Sequence, residues 1–309
     1  MKRLDLVVQA SDQGERLDRF LSRAGAISRG LARRAIEAGG VYLDGKRVKI
    51  ASRPVYPGQR IELVLEEPER AAQTREQASQ PLEILFEDDA VVAVAKPPFI
   101  AAQSTLAGDA NTLTAQVAAH LGLDRSEEVG LVHRLDRETS GVTIFGKTKE
   151  ATAVLAAAFR DGHAHKRYLA IACGPLPSEG TIEVGLAKDP GKPGHFRPAP
   201  AGGGLAAKTR YRSLSKPDVA TAAELFPETG RTHQLRVHLH SLNAPILGDD
   251  RYGAPRSITV RETKVEATRV LLHAESLRLP HPASGNELVV RAPLPADLRE
   301  ALAKLGAQP

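Results

Sequence analysis

Fifteen consecutive residues, 66–80 (EEPERAAQTREQASQ), contain no apolar side chain larger than alanine. A stretch of that composition has nothing to bury, so no core can run through it and the chain must fold as separate pieces on either side. The length, 309 residues, agrees, since domains run to about 100–200 residues. The expected layout is a small unit over residues 14–65, a linker over 66–80 and a larger unit over 81–309.

The chain is 42% hydrophobic and 26% charged, enough to build packed cores and unlike a disordered, collagen-like or coiled-coil chain. The single cysteine, Cys173, excludes an intramolecular disulfide framework and any cysteine-cluster metal site, and points to a reducing compartment. The longest apolar candidate, the alanine-rich Ala151–Phe159, is half the roughly 18 residues of a membrane span. Near the start, Asp5 and Asp12 bracket an apolar stretch too short for a signal-peptide core. A cytoplasmic, monomeric protein with no membrane partner is expected.

Charge is concentrated at one end. Residues 1–65 hold 13 Lys and Arg against 7 Asp and Glu, whereas the rest hold 29 against 30. A field of one sign in the first fifth of the chain attracts a polyanion.

Local patterns fill in the elements. Leu17, Phe20 and Leu21 fall at helical spacing in Glu15–Ala24, and Ser28 is placed to cap a second helix over Arg29–Ala38. Val41–Leu43 and Lys46–Ile50 flank Asp44-Gly45, a strand, turn and strand. On the second helix Arg29 and Arg33 lie four apart with Arg34 beside them, a set of guanidiniums suited to phosphate oxygens. Beyond residue 80, strands are expected at Leu82–Phe86, Val91–Ala95, Val142–Gly146, Arg167–Ala172, Ala206–Ser213, Ala220–Phe226 and Glu287–Arg291. Helices are expected at Thr112–Leu121, Thr148–Arg160 and Thr232–Leu242. Strands outnumber helices and mix with them irregularly, which favours an α+β fold with a largely antiparallel sheet over a doubly wound parallel one. Gly202-Gly203-Gly204 lacks the strand, helix and lysine of a phosphate loop.

The most distinctive string is GLVHRLDRETSGVTIFGKT, residues 130–148. Asp136 stands between Arg134 and Arg137, and positive neighbours keep a carboxylate ionised, as a nucleophile requires. The same residues also make an ordinary surface ion-pair cluster. His133 suits an orienting or packing role. His233, His238 and His240 lie close together, but on a helix His233 and His240 are seven apart, not the four-residue interval of a zinc helix. No metal is expected there.

Two resemblances sharpen this reading. GERLDRFLSRAGAISRGLARRAIEAGGVYLDGKRV, with VYPGQRIEL after it, resembles the S4 RNA-binding domain over residues 14–65, which implies structured RNA as partner, with Arg29, Arg33 and Arg34 as contacts. HRLDRETSG resembles the signature of the RluA-type RNA pseudouridine synthases, and ILFEDDAVVAVAKP, KRYLAIACG, ELFPETGRTHQLRVHLHSLNAPILGDDRYG and LLHAESLRLPHP follow in that family's order.

That resemblance implies isomerisation of uridine to pseudouridine, with a mixed antiparallel sheet and no cofactor or metal. Asp136 matches the nucleophile, attacking the ribose anomeric carbon or carbon 6 of uracil. The freed base turns, bonds to ribose through carbon 5 and loses the carbon-5 proton. Tyr168 matches the tyrosine that stacks on the base. Arg231 matches the arginine that pairs with the aspartate. Arg134 matches the arginine that fills the gap left by the flipped nucleotide, and Leu235 is a candidate for packing on the base as well as for the core. Relatives with an S4 domain imply large-subunit ribosomal RNA, or an assembling ribosome, as substrate. Transfer RNA, a silent RNA-binding or assembly factor, and a nucleoside glycosidase are the alternatives. One motif departs from the family: KPPFIAAQS, residues 96–104, puts Pro98 and Phe99 where a small residue and a glycine are usual.

Overall fold

The computed structural model describes residues 2–65, 80–103, 112–192, 194–200, 203–260 and 262–307. The linker expected at 66–80 therefore lies, but for Gln80, outside the described residues, as do Gly202 and Ser104. The chain divides into two compact units, Met1–Gln80 with Gln103–Ala115 and Pro81–Ala102 with Gln116–Pro309.

In the first unit, strands β1 (Lys2–Val7), β2 (Val41–Leu43), β3 (Lys46–Arg47) and β4 (Arg60–Leu65) form a sheet in the order β1-β4-β2-β3. Helices α1 (Leu17–Ala24) and α2 (Arg29–Glu37) precede β2. The heptad-like spacing of Leu17, Phe20 and Leu21 buries one side of α1 with Ala32, Ala35 and Ile36 of α2 and with Val41, Leu43, Ile61 and Leu63. Ser28 caps α2, its hydroxyl accepting the Leu31 N–H at 3.2 Å. Asp44 and Gly45 both take positive φ, 50° and 76°, the backbone that a two-residue hairpin turn demands.

The second unit is built on a ten-stranded sheet. Its strands are β5 (Glu83–Glu87), β6 (Val91–Lys96), β7 (Gly130–Leu131), β8 (Ser140–Gly146), β9 (His165–Ala172), β10 (Glu179–Glu183), β13 (Lys208–Ser213), β14 (Thr221–Pro227), β17 (Leu272–Pro280) and β18 (Glu287–Arg291). They run in the order β10-β13-β14-β9-β17-β8-β6-β5, with β18 on β17 and β7 on β8. Two small hairpins stand apart, β11 (Leu186–Lys188) with β12 (Phe196–Pro198) and β15 (Ser257–Val260) with β16 (Thr263–Glu266). The helices are α3 (Leu113–His120), α4 (Lys149–Arg160), α5 (Gln234–Ser241) and α6 (Ala296–Lys304).

The sheet is antiparallel except where β17 runs parallel to β8, pairing His273 with Ser140 and Ala274 with Gly141. Strand alternation sends successive residues to opposite faces. Leu169 and Ile171 pack on one face with Leu298, Ala301 and Leu302 of α6. Ala170, Ala172 and Leu225 pack on the other with Leu235 and Leu239 of α5. The last helix and β17 had no expectation from the sequence. The α5 helix begins at Gln234, two residues later than expected, because His233 takes the left-handed conformation at φ 56°.

Gly141 sits at the parallel junction with φ 121°, and a Cβ there would come within 2.2 Å of the Ala274 carbonyl oxygen. Gly162, which ends α4 with φ 82°, has open space around it. Gly141→Ala is therefore expected to cost more than about 3 kcal/mol, from clash and backbone strain together, and Gly162→Ala only about 1–2 kcal/mol from the backbone. Urea unfolding midpoints of the two variants check this.

Candidate active site

The segment His133–Thr139 crosses between β7 and β8 and ends in a turn closed by the Thr139 N–H on the Asp136 carbonyl at 3.1 Å. One oxygen of the Asp136 carboxylate, Oδ2, accepts from Arg236 Nη1 at 3.0 Å. The other two donor positions of that guanidinium face Asp249: Nε and Nη2 each reach one of its oxygens at 2.7 Å. Asp249 is 1% exposed, Arg236 8% and Asp136 26%. Asp136 is thus the open member of the cluster. Burial works against the Arg236 charge, but the bonds to Asp249 and Asp136 outweigh it and hold the guanidinium above its ordinary pKa.

The turn itself is pinned from behind. Lys96, 1% exposed, donates to the carbonyls of Pro97 at 2.8 Å and Arg137 at 3.1 Å. Arg269, also 1% exposed, is bidentate to Asp297 of α6 at 2.7 and 2.9 Å and sends Nη1 to the Glu138 carbonyl at 3.3 Å. Arg137 Nε donates to the Phe99 carbonyl at 2.9 Å. Burial, with the Arg269 charge adding to it, pushes the Lys96 pKa well down.

Across the sheet, Tyr168 of β9 pairs with Ala274 of β17, which pairs in turn with Gly141 of β8. One row therefore carries both Tyr168 and the strand that follows the Asp136 turn. Burial raises the Tyr168 pKa, and the Asp136 charge raises it further. The phenol stays neutral, a ring for stacking. Tyr168 packs against the cluster that contains Leu235, which is 7% exposed, so Leu235 is a core residue behind the tyrosine. Arg134 is exposed.

The expected partner of Asp136 is corrected. Arg231 lies in the turn before α5, exposed, with its Nε on the Ala206 carbonyl at 3.1 Å. Arg236 makes the ion pair instead. Both arginines belong to RTHQLRVH, and the difference is where the helix begins. Gln234–Leu239 are all buried, so Arg236 projects inward while Arg231 stays outside. The signal for Arg236 was its position amid Leu235, Val237 and Leu239.

The histidines are structural. His238 is bonded to Thr209 Oγ1 at 2.9 Å and to the Val184 carbonyl at 3.0 Å. His133 accepts the Ile144 N–H on Nε2 at 3.1 Å and stacks on Phe159 at 4.5 Å; burial, then the Lys166 charge, lowers its pKa to about 3. His233 has Nδ1 2.8 Å from the Tyr252 hydroxyl. That hydroxyl also accepts the Phe196 N–H at 3.2 Å. His233 Nε2 lies 4.0 Å from Asp136 Oδ2. Burial lowers the His233 pKa to about 4, against the pull of Asp136. No group of three or more metal-binding side chains occurs among the described residues.

In the first unit Arg33 and Arg34 are exposed, Arg33 bonded to Glu37 at 2.8 Å. Arg29 donates to Asp18 at 3.1 and 3.2 Å, as Arg16 does. Asp18 is 2% exposed, so Arg29 is tied to the fold, with its outer side left to solvent.

The Asp136 turn, the buried Arg236 and the neutral Tyr168 thus lie together on a mixed, largely antiparallel sheet. Residues 90–241 match the RNA pseudouridylate synthase family, and residues 15–61 match the S4 domain. The chain is 34% identical to ribosomal large subunit pseudouridine synthase D of Pasteurella multocida, over 98% of this chain and 95% of that protein. It is 36% identical to an uncharacterized RNA pseudouridine synthase of Mycobacterium bovis, over 94% of each. Among solved structures, human RNA pseudouridylate synthase domain containing 4 superposes with a TM-score of 0.56 at 25% identity, covering 78% of this chain and 98% of that one. The chain belongs to the RNA pseudouridylate synthase family. It is an RNA pseudouridine synthase with an N-terminal S4 domain.

The corrected ion pair yields a direct contrast. Arg236→Ala strands the buried Asp249 without its cation and is expected to cost about 3–5 kcal/mol, while Arg231→Ala, at the surface, costs under about 1 kcal/mol. Chemical denaturation of the two variants decides it, and similar losses would place the structural arginine wrongly.

Proposed function

We propose that this synthase isomerises uridines of large-subunit ribosomal RNA and that Asp136 is its nucleophile. The observation that carries the second part is the unequal sharing of Arg236. Asp249 takes two of its bonds and is sealed in, whereas Asp136 takes one and keeps a face open to solvent.

On this reading the free Asp136 oxygen attacks the ribose anomeric carbon or carbon 6 of the uracil. The bond between ring nitrogen 1 and the ribose breaks, the base turns on the Tyr168 ring, and carbon 5 bonds to the anomeric carbon. Loss of the carbon-5 proton and release of the carboxylate restore the enzyme. Arg236, not Arg231, holds the Asp136 carboxylate before attack and receives it back afterwards. Aromatic stacking has no strong directional demand in the ring plane, which suits a base that must rotate. Arg134, exposed two residues from Asp136, is placed to enter the gap left by the flipped nucleotide. The ribosomal substrate rests on the named relatives that span nearly the whole chain and on the basic S4 unit.

The test is tritium release from RNA labelled at carbon 5 of uracil, with ribosomal and transfer RNA supplied separately. Wild type is expected to release tritium from ribosomal RNA and to leave pseudouridine, and Asp136→Asn to lose at least about a thousandfold in rate. Release from transfer RNA alone would overturn the substrate, free uracil would indicate a glycosidase, and an active Asp136→Asn would remove the nucleophile.

The first unit, on this reading, contributes to RNA affinity through its exposed arginines. Because replacing Arg29 would also disturb Asp18, the clean variant is Arg33→Ala with Arg34→Ala. It is expected to weaken RNA binding and to flatten its dependence on salt by about one to two contacts. A salt slope equal to wild type in filter binding would sink the assignment.

A further inference from the structure

The two faces of the catalytic sheet treat their cations differently. On the face of β9 that carries Arg167, every Lys and Arg of β9 and β13 has an acid. Arg167 pairs with Glu224 and, at 2.7 Å, with Glu275; Lys208 with Glu183 at 2.6 Å; Arg210 with Glu228 at 3.1 Å; and Arg212 with Glu224 at 2.6 Å. The opposite face of β9 carries Lys166, Tyr168 and Ala170, the side on which α5 packs. There the half-buried Lys166 ammonium bonds only the Thr229 carbonyl, at 3.2 Å, and forms no ion pair with a described residue.

Its surroundings are backbone and neutral groups. A Cβ on Gly230 would stand 3.9 Å from Lys166 Nζ, so the turn 229–231 lies alongside it. The Lys166 charge also acts on His133, in the segment leading to Asp136. At the end of the same turn Arg231 spends one donor on the Ala206 carbonyl and likewise has no acid among the described residues. Holding an ammonium half out of water without a counter-ion is costly. The cost is offset when an anion arrives.

We propose that Lys166 and Arg231 form a phosphate grip for the nucleotide whose base lies on Tyr168, which assigns Arg231 to substrate backbone instead of to Asp136. The proposal rests on the reading of Tyr168 as the base platform. Lys166 and Tyr168 are two residues apart on one strand face, about 7 Å, a reach comparable to that from a nucleobase to the phosphate of its own ribose. Burial, which brings the Lys166 pKa down to about 8, gives the ammonium a further reason to take up an anion. The ligand class is an RNA phosphodiester, read without regard to sequence.

The full chain is assayed as wild type, Lys166→Met, Lys166→Arg and Arg231→Ala, each first checked for a native melting transition. RNA affinity is measured from low to moderate salt, and KM and kcat from tritium release. Lys166→Met is expected to raise Kd and KM about tenfold, with the smaller share of the loss in kcat, and to reduce the slope of log affinity against log salt by about one. Arg231→Ala is expected to reduce that slope similarly, and Lys166→Arg to restore it. A Lys166→Met or Arg231→Ala enzyme with the wild-type slope and KM overturns the grip, as does a loss confined to kcat. If Lys166→Met does not fold, Arg231→Ala alone decides. Absence of tritium release by wild type is a separate outcome and would count against the reading of the site itself.

Discussion

One guanidinium organises the catalytic unit. Arg236 carries a single positive charge and faces two carboxylates, so the cluster as a whole is left with one negative charge to be used. The geometry decides which carboxylate carries it outward. Asp249 receives a bidentate pair at 2.7 Å and is buried, and the Tyr252 ring lies 5.2 Å from the guanidinium carbon. These contacts fix the arginine to the scaffold. Asp136 then meets a donor that cannot follow it, which is how a carboxylate is kept in one orientation while remaining open to a reactant.

The turn that bears Asp136 depends on a second set of cations that never touch the carboxylate. Lys96 and Arg269 grip successive carbonyls, of Arg137 and Glu138, from the inner side. Arg269 is anchored in turn by Asp297, in the first turn of α6. A helix on the far face of the sheet thereby holds the backbone beside Asp136. Gly141, immediately after this turn, lets β8 approach β17 closely enough for the parallel pairing to form. The Asp136 turn is thus supported by the strand that follows it, by β6 and by α6.

Much of this was legible in the sequence, and the limits are physical. Short-range signals were read well: Ser28 as a cap, Asp44-Gly45 as a hairpin turn, the helix over Thr148–Arg160, and strands such as Val91–Ala95, Val142–Gly146 and Arg167–Ala172. Such signals act within a few residues. The place of Arg236 could not be read that way. Choosing between two arginines five residues apart requires knowing that the helix starts only after His233, which takes a left-handed conformation. Arg269 was invisible because its acid and its carbonyls come from segments up to 131 residues away. The residues with the most long-range partners were the ones the sequence hid.

Phe99, where the family resemblance leads one to expect a glycine, takes the left-handed backbone that glycine favours, with φ 68°. Pro98 at the first central position followed by positive φ at the second is the combination of a type II turn. A non-glycine residue in the left-handed region costs about 1–2 kcal/mol. Burying the ring, 6% exposed, returns about as much. What the turn supplies to the site is a carbonyl oxygen, that of Phe99, which accepts from Arg137 Nε beside Asp136, and a carbonyl is indifferent to the side chain behind it. The phenyl ring therefore adds apolar surface to the loop without disturbing the hydrogen bond by which the loop steadies the Asp136 turn.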